Sequence, residues 1–444
     1  MRYERAIRNA RLILFATWTV VLVYANPGYL DWDGGDQLFQ ARVGMFNDWH
    51  PPTMAAYWKL IELVVHGPIG MLVLQTALFV WGLHAILSRR FAPRVAAIIT
   101  SALTLFPPIL TPMAAVWNEA QMAGFVMAGF ALALRPGWRA RGLGLFLLFL
   151  AAAVRDSAAL ALIPLLVFAC GAWEFRRRRT ALLAAAGVWL ALIGGSTLLN
   201  RAVTRVHYHP WYRTVAVMDL TGTICNAGPM SDAELGELLA GTGRIPIRGI
   251  QDRLCALYTP RVWFPLVQSD AAYWTDPPTK QERLARRDAW WQLVRDHPGA
   301  YLAHRWAVMA EVLGLTDEEP WQPVCQSFQA NTQHAASLHH NERPSRIQQG
   351  LGAVFVALGH TILFRPWLYA LLALCWLGYA CVRRDGLLAT IVGSGLLYEA
   401  SYFVTASAPD FRYSHWMIVC SCIGGVLVFA DRYRRRKQAV RTRR

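Results

Sequence analysis

Long runs without a charged side chain constrain this chain more than any other feature of its sequence. Such runs occupy residues 12–30, 67–88, 95–118, 181–200, 366–382 and 413–430. A helix needs about 20 consecutive apolar residues to cross the hydrocarbon core of a bilayer. The chain is 55% hydrophobic and only 16% charged, whereas soluble domains carry about 25% charged residues. The runs therefore predict an all-α polytopic membrane protein.

The formal net charge of +16 would also suit a nucleic-acid-binding protein, but the distribution of the charge disfavours that class. The basic residues cluster between the apolar runs, at residues 2–11, 89–94, 135–141, 176–179, 383–384 and 432–444. If every cluster is cytoplasmic, the positive-inside rule is satisfied and both termini lie in the cytoplasm. The clusters then predict contact with anionic membrane lipids and no nucleic-acid partner.

Pairing the runs between these clusters predicts about ten transmembrane helices and three segments of chain. Residues 1–200 form an N-terminal transmembrane module, whose first apolar run is interpreted as a retained anchor and whose first external loop is 27–66. Residues 201–347 are polar and form a large external, partly helical domain. Residues 348–444 form a C-terminal transmembrane module with a basic cytoplasmic tail.

Three stretches of the membrane modules do not have the character of ordinary spans. Residues 53–66 are too short and too charged to cross, and they and 348–363 predict helices that lie in the membrane interface. Within 142–170, Arg155 and Asp156 would be costly inside one continuous span. We therefore expect a hairpin of two shorter helices there, with both charges near the outer surface.

The eight cysteines contain no CxxC pair and no metal-ligand spacing. Cys225, Cys255 and Cys325 fall in the predicted external region, where disulfides can form. One disulfide is therefore expected among these three, with one cysteine left over.

The first external loop carries acids close to the predicted surface of the membrane. Asp31 and Asp33 precede Gly34-Gly35, and Asp36 follows them. If a helix starts at the glycine pair, Asp36 lies near its N-terminus, where the helix dipole favours an ionised carboxylate. Asp33 and Asp36 are then candidate bases. Alternatively, Asp31 and Asp33 form a turn and Asp36 caps the helix.

His50 follows on the same loop, directly before Pro51-Pro52. Its imidazole titrates near neutral pH and suits proton transfer, although a single histidine is often a structural hydrogen-bonding group. The proline pair suits the entry to the interfacial helix, because proline is favoured at a first helical position.

Three further charged residues lie at predicted outer ends of spans. Arg155 and Arg412 could bind an anionic phosphate, since arginines near a membrane span are candidate functional residues. Alternatively, Arg155 pairs with Asp156, and Arg412 with Asp410, to anchor helix ends. Glu119 could hold an acceptor or a metal ion, or be a solvated loop acid. The histidines of 201–347 lack zinc-site spacing, so no metal site is assigned there.

The first loop, DWDGGDQLFQARVGMFNDWHPPTM at 31–54, resembles that of the C-type integral membrane glycosyltransferases that use polyprenyl-phosphate sugar donors. The resemblance extends to FPP at 106–108, RDS at 155–157 and PDFRY at 409–413. It touches both membrane modules but not the external region. Many relatives have an Asp-Glu pair in this loop, whereas here glycines separate the acids, so the corresponding acid stays open.

This resemblance implies an enzyme of the bacterial inner membrane that transfers a hexose or pentose at the outer face. The donor would be a polyprenyl-phosphate-linked sugar, and the acceptor a glycolipid, a polysaccharide or a protein. Asp33 or Asp36 would be the base, with Asp33 better matching the family's position relative to Gln37. A divalent metal ion could assist. The residues that would bind the substrates are Gln37, His50, Glu119, Arg155, Arg412 and Tyr413.

Two other classes of protein fit the same composition. A flippase or transporter of lipid-linked sugars would favour internal repeats and polar residues near the bilayer midplane, and the sequence has no repeat and few charges inside its runs. A non-catalytic envelope assembly protein would tolerate the loss of both Asp33 and Asp36.

Overall fold

The computed structural model describes residues 2–171, 178–244, 249–268, 273–276, 278–318, 320–326 and 344–442. Helices make up 76% of the chain, and the described residues contain no strand. The predicted all-α class is therefore confirmed. The main helices, in chain order, are α1 (Arg2–Ala25), α2 (Trp32–Val43), α3 (Thr53–Glu62), α4 (Ile69–Leu87), α5 (Pro93–Thr104), α6 (Pro107–Ala114), α7 (Asn118–Ala133), α8 (Trp138–Val154), α9 (Ala158–Ala169), α10 (Arg178–Val203), α11 (Pro210–Arg213), α12 (Val215–Asn226), α13 (Asp232–Leu238), α14 (Ile250–Leu257), α15 (Phe264–Val267), α16 (Lys280–Asp296), α17 (Pro298–Leu313), α18 (Arg346–Gly359), α19 (Pro366–Arg383), α20 (Gly386–Thr405) and α21 (His415–Thr442).

The chain divides into two compact units. The first comprises residues 1–206, 322–399 and 414–444, and the second comprises residues 207–321 and 400–413. The second unit thus contains most of the region predicted to be external, together with the last turns of α20. The assignment of 201–347 to the outside stays a prediction.

Six helices are long and apolar enough to cross a membrane within the described part of the chain. They are Glu4–Ala25, Ile69–Leu87, Arg178–Val203, Pro366–Arg383, Gly386–Thr405 and Phe411–Gln438. A seventh span is possible if α5 and α6, which are bent by 72° at their junction, cross together. Pro107 and Pro108 open α6 and explain the bend, because proline cannot continue the preceding helical hydrogen bonds. The protein is therefore a helical membrane protein.

The expectation of about ten spans is too high by this criterion. The count of about ten included a span ending at Arg135 and both halves of the hairpin within 142–170, but the helices there, α7, α8 and α9, have only 16, 17 and 12 residues. At 1.5 Å per residue, even 17 residues reach only about 26 Å, which is short of the roughly 30 Å of hydrocarbon. The predicted break at Arg155 does separate α8 from α9, and helices do form near both stretches predicted to be interfacial, as α3 and α18.

Close helix packing in the first unit depends on glycine. A Cβ atom at Gly82 of α4 would lie 2.4 Å from the backbone of Met127 in α7, and one at Gly124 of α7 would lie 2.7 Å from the Gln75 carbonyl oxygen. Because no Cβ atom is present, the two backbones can approach this closely. The Gln121 amide then donates to the Gln75 side chain at 2.7 Å inside the same contact.

In the second unit, a buried carboxylate ties the helices together. Asp219 of α12 accepts from the Trp290 indole of α16 at 2.8 Å and lies 2.9 Å from His304 Nε2 and 2.7 Å from the Arg305 guanidinium of α17. These contacts compensate for the loss of hydration of the buried charges. Cys225 and Cys255 form a disulfide in this unit, so one disulfide among the three predicted external cysteines is confirmed.

Candidate functional site

The start of α2 differs from the expectation. The helix begins at Trp32, its cap is Asp31, and Asp31 Oδ1 accepts from the backbone amide of Gly34 at 2.9 Å. The prediction that the helix starts at Gly34-Gly35 is therefore wrong. A Cβ atom at Gly34 would lie 3.0 Å from the carbonyl oxygen of Val116, so this glycine serves a close approach of backbones and not a helix break.

Asp33 lies in the first turn of α2 and faces His50. Its Oδ1 atom is 3.1 Å from His50 Nε2. The Asp33 and His50 side chains are 16% and 15% exposed. A carboxylate in contact with an imidazole and still reachable from solvent can accept or relay a proton.

Asp36 has a different environment one turn later on α2. Its Oδ2 accepts from the Gln40 amide at 2.6 Å and from the Asn47 amide at 3.3 Å. Gln40 in turn accepts from the backbone amide of Asn47 at 2.8 Å. Asp36 therefore holds the loop after α2 against the helix. It is not the helix cap, because Asp31 occupies that position.

Gln37 connects α2 to two other helices. Its side-chain amide donates to Asn118 Oδ1 at 2.5 Å, and the Asn118 amide donates to the carbonyl oxygen of Val154 at 2.9 Å. Gln37 is only 2% exposed. The chain of bonds fixes the N-terminus of α7 and the C-terminus of α8 beside the acidic helix, and it favours a positioning role for Gln37.

A second polar chain joins the same region from another side. The Thr53 hydroxyl donates to Asn200 Oδ1 at 2.6 Å, and the Asn200 amide donates to the Ala153 carbonyl oxygen at 3.1 Å. The start of α3 and the end of α10 are thereby tied to the end of α8. The helix ends around His50 are thus held by side-chain hydrogen bonds as well as by packing.

Glu119 and Arg155 form a buried ion pair. The Arg155 guanidinium lies 2.9 Å from Glu119 Oε1, and the Glu119 side chain is only 2% exposed. The interpretation of Glu119 as a solvated loop acid is wrong, because α7 begins at Asn118 and brings Glu119 inside the bundle. The alternative for Arg155 was an ion pair with Asp156. Arg155 instead pairs with Glu119, which lies on another helix, and its pairing with Asp156 stays a prediction.

Asp156 is a candidate site residue that the sequence did not single out. Its side chain is exposed, yet desolvation by the surrounding protein raises the pKa of its carboxyl, and the charges of Arg155 and His50 only partly offset this. The feature of the sequence that could have indicated Asp156 is its position next to Arg155, inside an otherwise apolar run.

These contacts connect five residues, which we call the polar cluster: Asp33, His50, Asp156, Arg155 and Glu119. They come from α2 and its following loop, the start of α7, and the break between α8 and α9. The structure therefore brings together Asp33, His50, Glu119 and Arg155, four of the residues that the sequence indicated. Their chemical roles stay predictions.

Arg412 and Tyr413 belong to the second unit. Arg412 Nε lies 2.8 Å from Asp410 Oδ2, as the alternative interpretation of Arg412 expected. Tyr413 stacks on Tyr402, with ring centroids 4.8 Å apart and an interplanar angle of 8°. Their approach to the polar cluster stays a prediction.

A metal site is not supported by the side chains present. Within the described ranges, no three His, Cys, Asp or Glu residues are placed so that they could hold a metal ion. The polar cluster itself has three carboxylates, but Glu119 already faces Arg155.

Comparison of the chain with protein-family models, with curated proteins and with solved structures finds no match. The likeness to the C-type glycosyltransferases therefore depends on the motifs of this sequence alone.

Proposed function

We propose that the protein is a membrane glycosyltransferase that moves a hexosyl or pentosyl group from a polyprenyl-phosphate donor to an acceptor at the outer face of the bacterial inner membrane. The observation that carries this proposal is the contact of Asp33 with His50 in the same cluster as Arg155. A carboxylate can serve as the base of this reaction, and a guanidinium can stabilise its anionic leaving group.

The proposed reaction begins with an acceptor hydroxyl or amine bound near Asp33. As the acceptor atom forms its bond to the anomeric carbon, its proton passes to the Asp33 carboxylate, with His50 orienting that carboxylate. The bond between the anomeric carbon and the phosphate oxygen breaks, and its electron pair leaves with the polyprenyl phosphate. A positioned base of this kind typically contributes about 10²–10⁴ in rate.

The environment of each acid favours Asp33 over Asp36 as the base. Asp33 touches His50 and is partly exposed, whereas Asp36 accepts two side-chain hydrogen bonds that hold its own loop. Binding a proton at Asp36 would weaken both of these bonds. Asp36 is therefore assigned to stability.

The donor phosphate has one nearby cation in the polar cluster. Arg155 already pairs with Glu119, and Asp33 and Asp156 add negative charge. The phosphate would therefore compete with Glu119 for the guanidinium. Arg412, the other candidate cation, lies in the second unit and is already paired with Asp410.

Two independent features support the proposed orientation of the protein in the membrane. A disulfide between Cys225 and Cys255 suits an oxidising compartment such as the periplasm, and the basic clusters suit the cytoplasm. Reporters fused after Arg179 or Arg384 should be cytoplasmic, and one inserted near Gly241 should be external. If the reporter after Arg179 is external, the proposed membrane topology is reversed for all residues after the break between α8 and α9.

The test of function compares surface glycans, by mass, in cells with and without the gene, which identifies the sugar and often the acceptor. Cells that carry Asp33→Asn should show the glycan mass of the deletion while the protein inserts and accumulates normally. Asp36→Asn is the matched control on the same helix. It should lower the amount of folded protein but keep transfer per molecule. Intact transfer with Asp33→Asn would remove the proposed base.

One observation favours the transporter alternative. Glu399 lies within the candidate span α20, is only 3% exposed, and accepts from the Ser414 hydroxyl at 2.8 Å. Buried acids inside a membrane often belong to ion or substrate pathways. If Glu399→Gln abolishes movement of a lipid-linked sugar across vesicles while Asp33→Asn does not, the transporter is the better assignment.

A further inference from the structure

Helix α17 of the second unit has two faces of opposite character. One face is buried and includes His304, Arg305, Val308 and Val312. The other is exposed along more than two turns, and none of its residues is charged. Leu302 is 53% exposed and Trp306 is 57% exposed. The residues of this apolar face are Pro298, Gly299, Leu302, Ala303 and Trp306.

The preceding helix serves as an internal comparison. The exposed positions of α16 include five charged residues among its exposed apolar ones, as expected for a surface in contact with water. The charged residues are Lys280, Arg287, Asp288, Arg295 and Asp296. The lack of charge on the exposed side is therefore a property of α17 and not of the whole unit.

The position of α17 within its unit indicates what covers the apolar face. Arg305 donates to the carbonyl oxygen of Ala406 at 2.8 Å, and Ala406 directly follows α20, which is long and apolar enough to span the membrane. Arg305 is also fixed by Asp219 at 2.7 Å and is fully buried. In the last turn of α20, Val404 is 52% exposed, as a lipid-facing residue would be. The helix is thus held directly at the end of a span.

We propose that α17 is an interfacial helix whose apolar face, carrying Leu302 and Trp306, is seated in the lipid bilayer at the boundary between headgroups and acyl chains. Tryptophan is enriched at this depth because its ring is apolar and its indole N–H is polar. Leu302 and Trp306 are four residues apart and so share one side of the helix. The occupant is lipid, because the face carries no charge and because Arg305 of the same helix ties α17 to Ala406, the residue that follows the candidate span α20.

The test measures the surroundings of three positions in the full-length protein reconstituted in phospholipid vesicles. A nitroxide spin label is attached at Leu302→Cys, at Trp306→Cys and, as the control on α16, at Arg287→Cys. The background retains the Cys225–Cys255 disulfide and lacks the other cysteines. Oxygen, which concentrates in the bilayer, and a water-soluble nickel chelate compete to relax each label.

Oxygen should dominate relaxation at positions 302 and 306, and the nickel chelate should dominate at 287. If the chelate dominates at all three positions, the face is in water and the proposal fails. If neither reagent reaches 302 and 306, protein covers the face, and the proposal also fails. Should the cysteine-depleted chain not fold, benzoylphenylalanine in place of Leu302 in the native-cysteine chain gives a second measurement. Crosslinking to phospholipid then supports the proposal, and crosslinking only to protein overturns it.

Discussion

Removing one member of the Glu119–Arg155 pair should destabilise the first unit strongly. Breaking a buried ion pair on one side typically costs about 3–5 kcal/mol, because the remaining charge is left desolvated. Glu119 is 2% exposed and Arg155 is 13% exposed. We expect Arg155→Gln to be the costlier change, since it strands the more deeply buried charge, while Asp156 partly compensates Arg155 in Glu119→Gln.

The assay is a double-mutant cycle. The free energy of unfolding of the purified protein is measured by denaturant titration in one detergent for Glu119→Gln, Arg155→Gln and the double variant. Two glutamines retain hydrogen-bonding groups without charge, so the double variant should lose less than the sum of the single losses. A coupling energy of about 0.5–3 kcal/mol is expected for residues in direct contact.

The matched control is Arg435→Gln. Arg435 and Asp431 make an ion pair of similar length, 2.8 Å, but their side chains are 53% and 32% exposed. Surface pairs contribute about 0–1 kcal/mol. If Arg155→Gln costs no more than Arg435→Gln, or if the losses at Glu119 and Arg155 simply add, burial does not couple the pair and the physical account of the polar cluster is wrong.

Three further changes probe the packing, the disulfide and the titration of the fold. Gly82→Ala places a methyl group into the backbone of α7 and should cost about 1–3 kcal/mol, whereas Gly187→Ala on α10, with nothing within 4 Å, should cost nothing measurable in a thermal unfolding scan. Replacing Cys225 and Cys255 with serine should cost about 2–5 kcal/mol and speed proteolysis of the second unit; unchanged proteolysis would contradict a stabilising disulfide. Burial lowers the pKa of His304, so its contribution to stability is fully present above the unfolded pKa of about 6.5 and is lost as the pH falls towards the lower folded value. The midpoint temperature of unfolding should therefore decrease as the pH is lowered below about 6.5, and it should decrease less in His304→Gln. Identical pH profiles of the midpoint in the two proteins would refute this.

The helical class and the break at Arg155 could be predicted because they depend on local composition. The number of spans could not, because an apolar sequence signals burial in protein as well as burial in lipid. In α7, every residue except Leu132 is buried by the rest of the protein. Its composition resembles that of a lipid-facing span, but its length of 16 residues is set by neighbouring helices and not by the bilayer.

The candidate site shows the same division between local and long-range information. Asp31, Asp33 and Asp36 have the same intrinsic preference for caps and turns, so residue type alone could not show which of them caps the helix. The close approach of Gly34 to Val116 brings together residues that are far apart in the chain. The pairing of Glu119 with Arg155 likewise depends on how α7 meets the end of α8.

Burial also separates the polar cluster into two parts with different proposed consequences. The Asp33–His50 contact is partly exposed, so a substrate can reach it and its loss should affect transfer more than stability. In the Glu119–Arg155 pair, the Glu119 side chain is only 2% exposed, so loss of the pair should affect stability first. Asp156 joins both parts through its interactions with His50 and Arg155. Asp156→Asn is therefore the change expected to alter transfer without unfolding the protein, because its side chain is exposed and a neutral amide is readily accommodated there. An equal loss of folded protein and of transfer would mean that Asp156 serves the buried pair alone.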